Sequence, residues 1–394
     1  MASPETFLLV SGDFVRTGGM DMGNYFFADF LARKGCEVHI VSHNVDPALS
    51  AFPEVTWHRV VRPYHSTILG EPMLRFVGRR VYGQIKRRKP STRSLVNGGN
   101  CPLPDINWVH YLHAATVPMP GSNIANRLKT KAAHRQFLRL EAIALRQARV
   151  IIANSKRTKA DIIRCYGISE SLIHVVYYGA APGEFDQVDT AERESTRRAL
   201  GLSLEKRIIL FIGAMGDRRK GFDTLFNAWE LVGASGRKRA QLLVIGTGAE
   251  LPMWRARAVR AGYEDSIVFL GFRRDVPAIV RASDGLVAPV RYEAFGLAVL
   301  EALCCGLPAL VSQDAGVAER YPEEMNDLLI SDPNNATEVA QKLTSLITQN
   351  DSWREKILPL AKALRSYTWQ DMNHRIYQVI NEIEFDRRNE KHVR

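Results

Sequence analysis

The chain has 394 residues, and its 53 lysines and arginines outnumber its 42 aspartates and glutamates, which gives a formal net charge of +11. This length is enough for two α/β domains with separate cores, and the positive charge favours anionic partners such as nucleotides or an acidic membrane surface. The five cysteines show neither metal-ligand spacing nor a disulfide framework, and no apolar run has the length of a membrane span or a signal peptide. We therefore expect a cytoplasmic protein with reduced thiols.

The first half of the chain predicts a Rossmann-like domain. A short apolar strand, a glycine-rich loop, a helix and a second buried strand follow one another at 6–11, 12–19, 22–33 and 38–42. Such a βαβ unit implies a parallel sheet. Further strands are predicted at 108–112 and 150–154, with a helical stretch that includes 132–148 between them.

The second half repeats the alternation. Strands are predicted at 207–212, 241–245, 267–270, 285–290 and 309–311, with a helix at 222–232. We place the domains at 1–185 and 186–369, and we expect a C-terminal helix at about 370–390 to pack back on the first domain. Both halves are predicted to be doubly wound, and ligands bind at the carboxyl ends of the strands of such sheets. Two facing domains of this kind would enclose a cleft.

Two carboxylates, Glu293 and Glu301, bracket Phe295-Gly296-Leu297 between a predicted strand and a predicted helix. A helix N-terminus offers unpaired backbone N–H groups and partial positive charge, which suits a phosphate, and Gly296 lets an anion approach closely. Carboxylates accept hydrogen bonds from hydroxyls. The motif therefore favours a ligand with hydroxyls on both sides of a diphosphate, such as a nucleotide sugar.

A second motif follows the first strand of the second half, where Gly213 precedes Arg218-Arg219-Lys220-Gly221. Arginine offers a planar fork to phosphate oxygens and lysine a compact charge, so these side chains at a strand end would neutralise a diphosphate. A solvated basic loop is the alternative. The turn at Gly246, after the next strand, is predicted to line the same pocket.

Two features of the first half are also candidates. Gly18 and Gly19 lie in the loop after the first strand, where successive glycines expose N–H groups toward a phosphate. The second strand ends without an acidic residue, which argues against a nicotinamide cofactor, and a plain tight turn stays open as an alternative. His113 lies at the end of a predicted strand, where a structural role is equally open.

Taken together, these motifs resemble those of glycosyltransferase family 4, the group 1 retaining enzymes with the GT-B fold of two facing Rossmann-like domains. The resemblance implies transfer of a hexose-type sugar from a nucleotide-diphosphate donor to an acceptor hydroxyl of a glycan, lipid or small molecule. It also implies retention of configuration, no metal and no cofactor besides the donor substrate. A role in polysaccharide or glycolipid synthesis would follow.

The resemblance also implies roles for individual residues. Glu301 would bind the ribose hydroxyls and Glu293 the donor sugar, while Arg219, Lys220 and the backbone of 295–297 would hold the diphosphate. His113 would contact the donor sugar at the reacting centre, and the loop with Gly18 and Gly19 would close over the donor phosphates. The family commonly has arginine directly after Gly213, whereas this chain has Ala214.

The segment 73–93 carries eight arginines and lysines and no acidic residue. Apolar residues at 73, 77, 81 and 85 fall on one helical face, which predicts a helix that lies on an anionic membrane, on the inner face. A solvated basic helix or an acceptor-side loop is the alternative. No nucleic-acid-binding motif is present. A non-catalytic nucleotide-sugar-binding protein or a membrane-surface scaffold remains the competing function.

Overall fold

The structure is a computed structural model. It describes residues 4–63, 67–116, 124–181, 183–186 and 190–382, without the side chains of 67, 68 and 124–130. The chain forms two compact units. Unit 1 comprises Met1–Tyr178 and Trp369–Arg394, and unit 2 comprises Gly179–Thr368. The boundary that we placed at 185/186 thus lies at 178/179 in the structure, and the chain returns to unit 1 at Trp369.

Strands and helices alternate along most of the chain. The strands are β1 Thr6–Val10, β2 Asp13–Phe14, β3 Glu37–Ser42, β4 Asn44–Val45, β5 Val55–Arg59, β6 Arg93–Val96, β7 Ile106–Val109, β8 Val150–Ala153, β9 Ile173–Val175, β10 Arg207–Ile212, β11 Ala240–Ile245, β12 Ile267–Gly271, β13 Gly285–Ala288, β14 Ala309–Ser312 and β15 Leu329–Ile330. The helices are α1 Gly19–Arg33, α2 Pro47–Ser50, α3 Thr67–Arg88, α4 Ile124–Gln147, α5 Lys156–Tyr166, α6 Thr190–Ala199, α7 Phe222–Leu231, α8 Gly233–Arg239, α9 Leu251–Arg260, α10 Val276–Arg281, α11 Leu297–Cys304, α12 Ala336–Thr348, α13 Asn350–Arg365 and α14 Trp369–Glu382.

Unit 1 is built on a parallel sheet with the strand order β5-β3-β1-β6-β7-β8-β9. All five residues of β1 are buried, as expected for a strand covered on both faces. Phe7 pairs with Val38 of β3 on one side and with Arg93 of β6 on the other. The chain therefore builds the sheet outward in one direction from β1 and then restarts beside β1 at β6, which makes the β1/β6 junction the switch point of this sheet.

Unit 2 contains a second parallel sheet, with the order β12-β11-β10-β13-β14-β15. Its central strand β10 pairs with β11 along its whole length and with β13 on the other side. The switch point of this sheet lies between β10 and β13. The prediction of two Rossmann-like α/β domains is confirmed.

Helix α14 packs on α1 within unit 1. Trp369 stacks on Phe26 with ring centroids 5.1 Å apart, and the Asn373 side chain donates to the Phe26 carbonyl at 3.0 Å. The helix that we predicted at about 370–390 is described as far as Glu382, and residues 383–390 lie outside the described residues.

Helix α3 contains most of the basic segment 73–93. Val77 and Ile85 pack against the core cluster to which Leu74 and Val81 belong, so the apolar face that we assigned to a membrane instead covers the sheet. The sequence could not reveal this, because a core-facing stripe and a lipid-facing stripe have the same period. No helix in the described part of the chain is long and apolar enough to span a membrane.

Candidate functional site

The predicted motifs of unit 2 meet at the switch point of its sheet. Gly213 directly follows β10, and Glu293 lies in the loop after β13. The carboxyl ends of neighbouring parallel strands share one edge, so these two loops lie side by side there. The Lys220 ammonium group donates to the Glu293 carboxylate at 2.6 Å. The structure thus joins two residues that are 73 positions apart in the sequence.

The Lys220–Glu293 ion pair is accessible. The two side chains keep 30% and 23% of their surface exposed, so a ligand can reach both groups. A half-exposed ion pair contributes little to stability, on the order of 1 kcal/mol or less. Its value is geometric, because it holds one cation and one anion at a fixed spacing at the strand ends.

Lys220 ends a short 3-10 turn, Arg218–Lys220, which Asp217 caps by accepting from the Arg219 N–H at 3.1 Å. The Arg219 guanidinium also donates to both carboxylate oxygens of Asp217. A phosphate that binds Arg219 therefore competes with Asp217, an interaction that the sequence motif did not predict.

Gly221 fixes the position of this turn. Its φ is 71°, and a Cβ added there would lie 1.8 Å from the Pro289 carbonyl oxygen. Only glycine permits both the left-handed conformation and this approach of the turn to the end of β13.

Arg291 is a residue of this site that the sequence analysis missed. Its guanidinium donates to both Asp223 oxygens, at 2.8 and 2.9 Å, and its backbone N–H donates to the Arg219 carbonyl at 2.7 Å. Arg291 therefore ties the loop that carries Glu293 to the turn that carries Lys220. Its place two residues before Glu293 is the signal that would have identified it.

Gly296 directly precedes helix α11, between strand and helix as the motif predicts. Its φ is 115°, and no side chain in the described part of the chain caps the helix N-terminus. The backbone of Phe295 is fixed from outside, because its carbonyl accepts from the Val317 N–H at 2.8 Å. The first N–H groups of α11, from Leu297 onward, are thus positioned to bind an anion.

Glu301 lies on α11 about one turn beyond these groups. Burial raises the pKa of its carboxyl to about 8, and repulsion from the Glu184 carboxylate adds to the increase. Glu301 is therefore largely protonated at neutral pH, unlike an ordinary surface glutamate. A titratable group perturbed in this way beside an anion-competent helix end marks a candidate binding site.

Gly246 closes the other side of the loop after β10. Its φ is 137°, and a Cβ added there would lie 2.0 Å from the Gly213 carbonyl oxygen. The Gly213 N–H in turn donates to the Ile245 carbonyl at 3.0 Å. Ala214, next to Gly213, is exposed and brings no charge to the site.

In unit 1, Gly18 precedes α1 with φ 81°, and Gly19 is the first residue of the helix. Asp21 lies in the first turn, where burial and the neighbouring Asp13 carboxylate raise its pKa to about 7. Asp21 was not among the site residues predicted from the sequence. A carboxyl group that changes charge near neutral pH, at the N-terminus of a helix, makes this loop better suited to hydroxyls than a bare glycine loop is.

His113 follows β7 in a 3-10 turn, His113–Ala115. Its ring stacks on Phe137 with centroids 4.9 Å apart, and Tyr111 meets it edge-on at the same distance. The Glu141 carboxylate accepts from the His113 N–H at 2.9 Å. The imidazole therefore lies between two aromatic rings on a backbone fixed from α4.

His110, at the end of the same strand, is structural. It is buried beside Trp108 and bonds the Tyr178 hydroxyl, and burial lowers the pKa of its imidazole to about 3. It is therefore neutral at physiological pH. Across the described residues, no cluster of three or more His, Cys, Asp or Glu side chains is arranged to hold a metal ion.

Two family models match the sequence, one in each half of the chain. One described as Glycosyltransferase Family 4 matches residues 17–182, and one described as Glycosyl transferases group 1 matches residues 206–349. The first match falls almost entirely in unit 1 and the second in unit 2. The chain is a group 1 glycosyltransferase with the GT-B fold.

Individual proteins that are similar to this glycosyltransferase support the family assignment. An uncharacterized glycosyltransferase of Methanocaldococcus jannaschii is 25% identical over 374 residues, which cover 90% of this chain and 92% of the relative. WaaG, a glycosyltransferase involved in lipopolysaccharide biosynthesis, superposes with a TM-score of 0.74 at 19% identity over 95% of this chain and 99% of WaaG. Anabaena HepE, in complex with UDP and glucose, gives 0.68 at 16% identity over 96% and 100%. The structural matches show a shared fold.

Proposed function

We propose that this glycosyltransferase moves a sugar from a nucleotide-diphosphate donor to an acceptor hydroxyl, with retention of configuration and without a metal. The observation that supports this proposal most directly is the Lys220–Glu293 pair at the switch point of the unit 2 sheet, beside the uncapped N-terminus of α11. One cation and a helix end suit the diphosphate, and the carboxylate suits a sugar hydroxyl.

Each residue of the site has its own role in the proposed reaction. Lys220, Arg219 and the backbone N–H groups from Leu297 onward stabilise the charge that develops on the leaving diphosphate, which is electrostatic catalysis. Glu293 orients the donor sugar and Glu301 binds the ribose. His113 contacts the donor sugar during transfer.

The test begins with binding. Nucleoside diphosphates and their sugars are screened for thermal stabilisation without metal, with UDP and UDP-glucose included because a protein of the same fold, HepE, has been solved with them. The stabilising donor is then offered with acceptor hydroxyl compounds in the presence of EDTA, and the anomeric configuration of the product is read by NMR. An inverted product, or transfer that EDTA abolishes, would contradict the proposal. Binding without transfer would favour the non-catalytic nucleotide-sugar-binding alternative.

The raised pKa of Glu301 predicts a specific pH dependence of donor binding. A ribose hydroxyl donates to a carboxylate, so a Glu301 with a pKa of about 8 must release its proton when the nucleotide binds. Affinity for the nucleoside diphosphate should rise by up to about tenfold per pH unit below that pKa and level off above it. Isothermal titration calorimetry in buffers of different ionisation enthalpy measures the proton released.

Glu301→Gln is the control, because the amide keeps the size of the side chain and cannot titrate. The nucleotide phosphates titrate equally with both proteins, so the difference between the two affinity curves reports Glu301 alone. The raised pKa of Glu301 also makes the stability of the fold depend on pH. Since the folded-state pKa is raised, the protonated group stabilises the fold below its ordinary pKa, and that contribution is lost as pH rises through about 8. Identical curves for the two proteins would remove Glu301 from the ribose site.

We further propose that α3 binds anionic lipid through its exposed apolar residues, of which only Met73 belongs to the stripe that the sequence indicated. Leu69, Met73 and Phe76 recur at helical spacing and are 48%, 39% and 68% exposed. Arg79 and Arg80 are exposed directly beside them. Exposed apolar side chains flanked by arginines match an anionic bilayer surface.

Sedimentation with vesicles tests this surface. Phe76→Ser should weaken binding to vesicles that contain phosphatidylglycerol by about tenfold. Burying one aromatic side chain contributes about 1.5 kcal/mol, which corresponds to that factor. Leu231→Ser, which changes an apolar side chain that is 57% exposed in unit 2, should leave binding intact. Equal sedimentation of the two variants, or equal binding to vesicles of phosphatidylcholine alone, would rule out the α3 surface.

A further inference from the structure

Glu141 is a completely buried glutamate that the motifs did not identify. It lies on α4, and its side chain is 0% exposed. In the described part of the chain no lysine or arginine lies within ion-pair distance of it. A buried carboxylate without a cation is costly, so its hydrogen bonds must compensate for the lost hydration.

Three neutral donors supply those bonds. One carboxylate oxygen accepts from the His113 N–H at 2.9 Å, and the other accepts from the Ala114 N–H at 3.1 Å and from the Tyr166 hydroxyl at 2.6 Å. The first two donors are the leading N–H groups of the 3-10 turn that begins at His113. Glu141 thus caps that turn from another helix, and Tyr166 orients the cap.

The same helix also positions the imidazole. Phe137, whose ring stacks on His113, is four residues before Glu141, so both side chains lie on one face of α4. Backbone and ring of His113 are therefore fixed by adjacent groups of a single helix. Gly99 allows α4 to approach, because a Cβ there would lie 2.9 Å from the Glu141 nitrogen.

We propose that Glu141 is the positioning residue of His113 in the transfer reaction, an inference that rests on the proposed function. An apolar side chain would fill the same space with no hydration to lose, but it would leave the His113 and Ala114 N–H groups without this acceptor. The carboxylate is suited to this place because each of its two oxygens accepts from one of two successive N–H groups. In an amide, the NH2 group would face one of these donors.

Asp105 provides a matched control. It is also buried, and it accepts from the Ser94 N–H and hydroxyl and from the Tyr82 hydroxyl. It precedes β7, whereas His113 follows this strand, so Asp105 lies at the opposite edge of the sheet. Asp105→Asn therefore imposes a comparable loss of buried hydrogen bonds without touching the His113 turn.

The experiment compares Glu141→Gln and Asp105→Asn in the full chain. Glu141→Gln should lower kcat about 10²-fold, since a misplacement near 1 Å has that effect, while the Kd for the nucleoside diphosphate stays unchanged. Asp105→Asn should change kcat less than threefold or so. Combining Glu141→Gln with His113→Ala should give no further loss beyond His113→Ala, because both changes remove the same contribution. Tyr166→Phe, which leaves both backbone bonds, should lower kcat only a few-fold.

Hydrogen exchange of peptides that span 109–116 provides a second readout that is independent of activity. Protection should fall in Glu141→Gln and persist in Asp105→Asn. Retained protection, or a kcat that falls equally in both variants, or additive losses with His113→Ala, would overturn the inference. Absence of transfer by the wild-type protein would overturn the proposed function instead, and the exchange comparison would still decide whether Glu141 holds the His113 turn.

Discussion

Replacing Lys220 by alanine is expected to lower kcat for sugar transfer by about 10²- to 10³-fold, as loss of one preorganised group that stabilises a developing anion does. The change removes the only cation that the structure places within 4 Å of Glu293 among the described residues, and leaves the Glu293 carboxylate unpaired beside the proposed diphosphate site. Steady-state kinetics with the identified donor measures the effect. KM for the donor should rise as well, because the ground-state diphosphate carries charge too.

Lys238→Ala is the matched control for Lys220→Ala. Lys238 is exposed on α8 in the same unit, and its removal changes the net charge equally. If both variants lose a similar, small amount of activity, long-range charge rather than the Lys220 site would explain the effect. If Lys220→Ala retains full activity, the diphosphate is held elsewhere.

Gly221→Ala is expected to lower the free energy of unfolding of unit 2 by roughly 3–5 kcal/mol, the range of the largest single substitutions. The added Cβ would overlap the Pro289 carbonyl oxygen at 1.8 Å, and the residue would keep a positive φ of 71°. Relief requires the turn that carries Lys220 to move away from Glu293, so nucleotide affinity should fall together with stability. Urea unfolding followed by hydrogen exchange of peptides from β10 and α7 reports on unit 2 alone.

Gly233→Ala separates strain from overlap. Gly233 has a similar positive φ of 79°, but a Cβ added there meets nothing within 4 Å. We expect it to cost only about 1–2 kcal/mol, the ordinary penalty for a left-handed alanine. Equal losses of stability at the two positions would show that the overlap with Pro289 adds nothing to the cost of the left-handed backbone conformation.

The positions of the unit 2 motifs in the sheet were largely predictable because their signals are local. Apolar runs end at glycines there, and the predicted strand at 207–212 matches the structure to the residue. The helix predicted to follow the Phe295-Gly296-Leu297 motif is present as α11. Their common sheet then brings Lys220 and Glu293 together without further information. The pairing of Arg219 with Asp217 was not predictable, because a carboxylate two residues away supports a cap, an ion pair or neither.

Unit 1 was harder to predict because its determinants are not local. Strand β5 has no fully buried residue, so its sequence lacks the apolar run of a central strand. The direction of the α3 apolar stripe depends on which surface the helix meets. Glu141 in the sequence is one glutamate within a helical run. Only its contact with the His113 turn distinguishes it from a surface residue.

Because the chain returns to unit 1 at Trp369, the order in which the two units can finish folding during translation differs from the order in which they begin. Domains generally fold from the N-terminus as the chain leaves the ribosome. The first unit, however, lacks α14 until all of Gly179–Thr368 has been synthesised. Until then Phe26 has no Trp369 to stack on, and its carbonyl has no Asn373 to bond. Unit 2 can therefore finish folding before unit 1, although it is made second.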